Sequence, residues 1–182
     1  MNFQKSEIFQ WNGKSYRIVD NIGFGDNNFT SEADILHRIG EGIYSTKEGI
    51  NQVLFVFGGR FSEEQVIAFN MFKKFISESR ITEFTTLVRT NFPNFRNQKK
   101  CEDDRETLLA QNKELREIIE SCKGIVYVDN PAIPVIEDED SEDEIEDKNQ
   151  EIVRNEKKRK ESRKILLNYL VENCQNIYKL KE

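Results

Sequence analysis

The sequence predicts an α/β fold, a doubly wound and mostly parallel sheet followed by a C-terminal helical tail. Two observations carry this prediction. Short apolar runs typical of covered strands alternate with helical patterns between residues 16 and 130. Beyond residue 136 the chain becomes highly charged, which is typical of a tail and not of a core. In such sheets the crossovers are right-handed and ligands bind at the carboxyl ends of the strands.

The composition excludes several classes of protein. The 182 residues include 37% hydrophobic and 33% charged residues, and the net charge is −6, which disfavours a nucleic-acid partner. No apolar run approaches the roughly 18 residues that a transmembrane helix needs. The first residues, MNFQKSEIFQ, lack the apolar core of a signal peptide. The three cysteines have no paired spacing, so we expect a protein of the reducing cytoplasm.

The first segment predicts a β-hairpin. Asn12-Gly13 is the commonest pair for a type I′ turn, and the strand after it is expected to run to Asp20 and to be buried. The tripeptide Gly13-Lys14-Ser15 matches the end of a phosphate-binding P-loop. That motif also requires a glycine where this chain has Ile8, and it joins a strand to a helix, so we reject it here.

Strands and helices then alternate along the chain. Ser31 and Ser62 are suitable helix caps, and Ser62 with Gln65 resembles a capping box. The elements predicted in order are a helix after Ser31, a strand at Gln52–Phe57, a helix after Ser62, a strand at Thr85–Val88, a helix at Lys100–Ser121 and a strand at Gly124–Val128.

Three segments are expected: a domain over residues 1–136, a disordered acidic linker over 137–149, and a charged to amphipathic helix over 150–182. The linker prediction depends on nine acidic residues among the eleven from Glu137 to Asp147. The apolar stripe of the helix either docks within the chain or pairs with another chain as a homo-oligomer or helical partner; its members are Leu166, Leu170, Cys174 and Ile177. The basic run Lys157–Lys160 is a nuclear address, a phosphate patch or a solvated helix face.

Two motifs point to a nucleotide. Asp20 and Gly23 form the Asp-x-x-Gly pattern of nucleotide switches, in which the carboxylate holds Mg²⁺ through water and the glycine N–H approaches the γ-phosphate. The second motif follows the next predicted helix and apolar strand and reads Gly59-Arg60-Phe61-Ser62-Glu63-Glu64. This box resembles the Gly-Arg-Phe/Tyr-Thr-x-Glu signature of the AIG/GIMAP immunity-associated GTPases. The resemblance covers roughly residues 8–135 and includes Val128-Asp129-Asn130, which is similar to the fifth nucleotide motif.

The resemblance implies an AIG-type G domain that binds GTP and Mg²⁺ and acts as a switch in assembly. It implies Asp20 as the Mg²⁺ ligand and Gly23 as the γ-phosphate contact. The residues implied around the base are Thr90, Asn91 and Asn130. Arg60 either anchors a helix start, as expected of a structural signature, or contacts phosphate. The Asn130-Pro131 step is equally compatible with a plain turn.

Departures from the family pattern limit the implied activity. The family's P-loop should precede the hairpin, where this chain has only about seven residues, so we expect a fragment or a divergent product. Pro93 stands at the position of the guanine-reading Asp, with Asn94 as a weak substitute, and Phe24 stands where a glutamine would orient water. We therefore expect weak or absent hydrolysis. The alternative is a nucleotide-free interaction module, a pseudo-GTPase.

Overall fold

The centre of the molecule is a three-stranded parallel sheet in a mixed α/β architecture with a long C-terminal helix. The computed structural model describes residues 4–20, 37, 40–42, 46, 48–59, 61–75 and 81–179. The strands are β1 (Gln4–Lys5), β2 (Phe9–Trp11), β3 (Lys14–Tyr16), β4 (Val19–Asp20), β5 (Val53–Gly58), β6 (Thr85–Thr90) and β7 (Gly124–Tyr127). The helices are α1 (Glu63–Phe75), α2 (Gln98–Gln111), α3 (Lys113–Ser121) and α4 (Glu142–Asn173), with a 3-10 turn at Ile81–Phe84.

The sheet order is β5-β6-β7, with both pairs parallel. Because side chains alternate along a strand, the side chains of neighbouring residues lie on opposite faces of the sheet. One face packs against α1, α2 and α3 and forms the larger cluster, whose members include Phe55, Phe57, Phe69, Leu87, Leu115 and Ile118. The other face packs against α4, where Val88 and Val126 meet Leu166. Helices therefore lie on both faces of the sheet, although Val56 of β5, on the α4 face, is 59% exposed.

The hairpin turn forms as predicted. Asn12 and Gly13 both take positive φ, at 47° and 74°. The strand after the turn differs from the prediction, because it is not buried and does not join the parallel sheet. Ile18 is 52% exposed, and β4 pairs antiparallel with β1. The β2–β3 and β1–β4 registers differ by one residue, so a bulge separates the two halves of one long hairpin.

The helix predicted over Lys100–Ser121 is two helices. Asn112 has an extended backbone, and its side-chain oxygen accepts a 2.7 Å hydrogen bond from the Leu115 N–H, which caps α3. Leu108 of α2 and Leu115 of α3 are both buried in the same cluster.

The acidic segment expected to be a disordered linker is helical from Glu142 onward. Ser141 and Glu144 form a reciprocal capping box. Acidic side chains in the first turn are favourable next to the positive end of the helix dipole, so the charge that predicted disorder stabilises this helix start. Lys148 also binds Asp140 at 2.6 Å and ties the first turns to the preceding loop.

Helix α4 ends at Asn173 and not near Leu180, and the chain then turns back. Tyr178 pairs with Ile50 through two backbone hydrogen bonds. The hairpin docks on the same helix, where the Trp11 indole N–H donates to the Asn168 side chain at 3.1 Å. Of the predicted apolar stripe, Leu166 packs within the chain against the sheet. Cys174 and Ile177 lie beyond the end of the helix, and Ile177 is 57% exposed, so the prediction of one continuous stripe is wrong there.

The helix predicted after Ser31 lies mostly outside the described residues. His37 and Gly40–Gly42 are helical, and the exposed His37 faces Glu41 at 3.6 Å. This exposure confirms that His37 is a surface residue.

The return of the C-terminal segment generates a prediction at Gly49. A Cβ there would lie 2.5 Å from Ile177 Cγ2 and 2.7 Å from the Tyr178 carbonyl oxygen, and φ is 98°. We expect Gly49→Ala to lower the free energy of unfolding by about 2–4 kcal/mol, from backbone strain plus steric overlap. Urea denaturation measures the change.

Gly13→Ala is the matched control, because Gly13 also has positive φ but nothing lies within 4 Å of its Cβ position. It should cost about 1–2 kcal/mol, from strain alone. Equal losses in the two variants would contradict the described path of the C-terminal segment.

Candidate functional site

The candidate site is the carboxyl edge of the sheet, which we define as Gly58–Gly59, Thr90–Asn91 and Val128–Asn130. The register places Gly58 opposite Thr90 and Arg89 opposite Tyr127, so the three strands end at nearly the same level. The Phe92 N–H donates to the Val128 carbonyl at 3.2 Å and continues the pairing beyond the strands. Ligands of parallel α/β sheets bind at this edge.

Two residues of the carboxyl edge have left-handed backbone conformations. Gly59 has φ of 65° and Asn91 has φ of 54°, and both are exposed. Asparagine tolerates this conformation better than most residues, but positive φ outside glycine is uncommon. A Cβ on Gly58 would lie 3.2 Å from Asn91 Nδ2, so the glycine leaves room for the Asn91 amide.

The β7 end of the edge is fastened to α4 through Asp129, which is 5% exposed. The Asp129 N–H donates to Ser162 Oγ at 2.8 Å, and the same hydroxyl donates to the Asp129 carbonyl at 2.8 Å. Lys158 Nζ lies 3.3 Å from the Asp129 carboxylate. The carboxylate is thus compensated within the protein, and the next residue, Asn130, is left exposed.

The β6 end is fastened to the same turn of α4. The loop after Asn91 contains two successive turns, and its Arg96 forms an ion pair with Glu161. Phe95 in this loop is buried and stacks under the Arg96 guanidinium, 5.0 Å from its ring centre. Both loops of the edge are therefore held by residues 158–162 of α4.

A partly buried ion pair supports the edge. Arg89 binds Asp104 of α2, with Nε 3.3 Å from the carboxylate, and lies between the rings of Phe57 and Phe92. Burial first, and the Asp104 carboxylate next, raise the pKa of Tyr127 well above its usual value. Tyr127 consequently stays a neutral phenol at physiological pH and contributes packing against Phe92, 5.0 Å away.

Neither Cys101, beside the loop after β6, nor Cys174, at the far end of α4, has the properties of a nucleophile. Burial raises the pKa of Cys101, and Asp104 and Glu102 raise it further. Burial also raises the pKa of Cys174. Because the thiolate is the reactive form, both stay protonated at neutral pH. In the part of the chain that the structure describes, no group of three or more His, Cys, Asp or Glu could hold a metal ion.

The structure brings together three of the five predicted site residues. Thr90, Asn91 and Asn130 lie on neighbouring strand ends of the carboxyl edge. Asp20 does not, because its strand pairs with β1 instead of joining the parallel sheet. Gly23, like Arg60 of the box, lies outside the described residues.

The polar contacts that α4 makes with the edge were not predicted from the sequence, where Lys157–Lys160 were interpreted as a nuclear address, a phosphate patch or a solvated helix face. One signal was present. Buried Asn155 and Ser162 are seven residues apart and continue at helical spacing into Leu166 and Tyr169, so they extend the inward face. Lys158 lies beside that face, which is why it reaches Asp129.

Comparison of the sequence with models of known protein families finds no matching family, and comparison with curated proteins finds no relative. Within the described residues, no helix is long and apolar enough to cross a membrane.

The Ser162 contacts predict a large effect from a small substitution. Ser162 is 1% exposed, so Ser162→Ala leaves the buried Asp129 N–H and carbonyl without these partners. We expect a loss of about 1–3 kcal/mol in the free energy of unfolding, measured by urea denaturation. Ser15→Ala, at an exposed serine of the hairpin, should change it by less than about 0.5 kcal/mol. A neutral Ser162→Ala would show that α4 does not fasten the edge.

Proposed function

We propose that the chain binds a guanine nucleotide at the carboxyl edge, as its resemblance to the AIG/GIMAP GTPases implies. The observation that carries the proposal is the meeting of Gly59, Thr90–Asn91 and Asn130 at the ends of three parallel strands. Asn91 and Asn130 offer amide donors and acceptors, which are the groups that read the edge of a base. Both side chains belong to exposed residues.

The described residues of the Gly-Arg-Phe-Ser box support its structural role. Phe61 is 1% exposed, and its ring lies 4.8 Å from that of Phe57. Ser62 Oγ accepts from the Gln65 N–H at 3.3 Å, and the Gln65 side chain accepts from the Ser62 N–H at 3.0 Å. The box thus fixes the start of α1 directly after the left-handed Gly59.

The phosphate end of the proposed site has less support. The sequence has no Gly-x-x-x-x-Gly-Lys-Ser/Thr pattern, which supplies the strongest phosphate contacts in the family. Among the described strands, β5 pairs only with β6, and Val56 on β5 is 59% exposed. The edge of the sheet beside β5 is where the resemblance implies the strand that leads into the phosphate loop. The 182 residues should therefore bind nucleotide weakly, and hydrolysis should be slow or absent.

Titration with a fluorescent GTP analogue, with and without Mg²⁺, tests the proposal. We expect saturable binding with a dissociation constant of about 100 µM or weaker, tightened by Mg²⁺. Asn130→Ala and Asn91→Gly should each weaken it about fivefold, since each removes one or two hydrogen bonds. Glycine is chosen at Asn91 because it keeps the left-handed backbone.

Asp20→Ala tests the implied metal ligand separately. Because β4 pairs with β1 and not with the parallel sheet, this variant should leave both nucleotide binding and its Mg²⁺ dependence unchanged. Asp138→Ala, at an exposed acid beyond the sheet, is the matched control and should behave as the wild type. Binding that survives all edge substitutions, or no binding up to millimolar nucleotide, contradicts the proposal.

The second candidate function is a nucleotide-free interaction module. It is favoured by the contacts that groups of the carboxyl edge already make within the chain. The Asp129 carboxylate is already compensated by Lys158, and both edge loops are fixed by α4. In this case, the titration detects no nucleotide, while the substitutions at Ser162 and Gly49 keep their predicted effects on stability.

A further inference from the structure

Helix α4 has two blocks of opposite charge. Five of the six residues 142–147 are acidic, and six of the eight residues 157–164 are basic. The helix dipole accounts for the acidic block, which occupies the first turns. It does not account for the basic block, which lies in the interior of a helix that continues to Asn173.

The two blocks cannot neutralise each other within one helix. Their centres are about 16 residues apart, which is about 24 Å along the helix axis. Side-chain pairs within a helix reach only three or four residues. In the acidic block the pairs at that spacing are alike in charge, as at Glu142 with Glu146 and Asp143 with Asp147. Lys148 of the helix binds Asp140 and lies four residues from Glu144, whereas Glu142 and Glu146 are exposed.

One exposed stripe of α4 carries both blocks. Its residues recur every three or four positions on the side away from buried Asn155 and Ser162. The exposed stripe ends at Lys164, because Leu167, the next position on the same side, is buried. The stripe consists of Glu142, Glu146, Gln150, Val153, Lys157, Lys160 and Lys164. Val153 in its middle is 67% exposed and is the one apolar residue of the stripe.

The stripe is self-complementary about Val153. Glu146 and Lys160 are each seven residues from Val153, on opposite sides, and Glu142 and Lys164 are each eleven residues from it. We propose that this stripe pairs antiparallel with the same stripe of a second copy of the chain, on a two-fold axis at Val153. The two Val153 side chains then pack on each other. Glu146 and Glu142 of each copy face Lys160 and Lys164 of the other.

The charge pattern excludes the parallel arrangement, because parallel helices would place acidic block against acidic block. An antiparallel pair obeys two-fold symmetry, so every favourable contact occurs twice. The apolar contribution is small, since Val153 is the one apolar member of the stripe. Association should therefore be moderate and strongly dependent on salt. It does not depend on nucleotide.

Sedimentation equilibrium of the whole chain tests the proposal. We expect a reversible dimer at about 0.1 M salt that weakens at least about tenfold at about 1 M salt, where the Debye length falls from about 10 to about 3 Å. Glu142→Lys with Glu146→Lys gives one uniformly basic stripe, and Lys160→Glu with Lys164→Glu gives an acidic stripe. Each double variant alone should be monomeric.

Mixing the two double variants in equal amounts should restore a dimer, now a heterodimer, which a folding defect could not do. Glu106→Lys with Glu114→Lys, at exposed positions of α2 and α3, makes the same charge change elsewhere and should leave the dimer intact. A wild-type chain that stays monomeric at about 0.1 M salt and high concentration overturns the proposal. So does a dimer that either α4 variant leaves intact.

Discussion

The hydroxyl of Ser162 is the contact on which the arrangement of the chain depends. It bonds both backbone groups of Asp129, a residue 33 positions earlier, and is almost completely buried. This contact sets the position of α4 along the sheet, with Leu166 and Tyr169 over the apolar face one and two turns further on. The Trp11 indole of the hairpin donates a hydrogen bond to Asn168 of α4. The segment after α4 turns back, and its Tyr178 pairs with Ile50.

The same turn of α4 links the candidate site to the outer surface of the helix. Lys158 binds Asp129 at the end of β7, and Glu161 binds Arg96 in the loop that begins at Asn91. Lys157 and Lys160 are exposed beside them. A ligand that displaces either loop therefore acts directly on the helix.

Much of the fold was predictable because local rules and burial agree there. The Asn12-Gly13 turn, the apolar β5 run and the Ser62 cap each formed as expected. The wrong predictions share a physical cause, which is that a specific contact outweighed average composition. The Ser141 capping box made the acidic segment helical, and the Asn112 cap divided one predicted helix into two.

The candidate site was predictable only in part. Thr90, Asn91 and Asn130 could be placed because parallel strands bring their carboxyl ends together. Asp20 could not, since a bulge and a pairing with β1 depend on contacts that periodicity does not encode.

An amide chemical-shift map of the isotopically labelled chain, titrated with GTP and Mg²⁺, tests whether guanine nucleotide binds at the carboxyl edge. We expect shifts at Gly59, Asn91 and Asn130, with smaller shifts near Ser162 and none at the hairpin turn. Shifts confined to other surfaces, or no shifts at millimolar nucleotide, would contradict it.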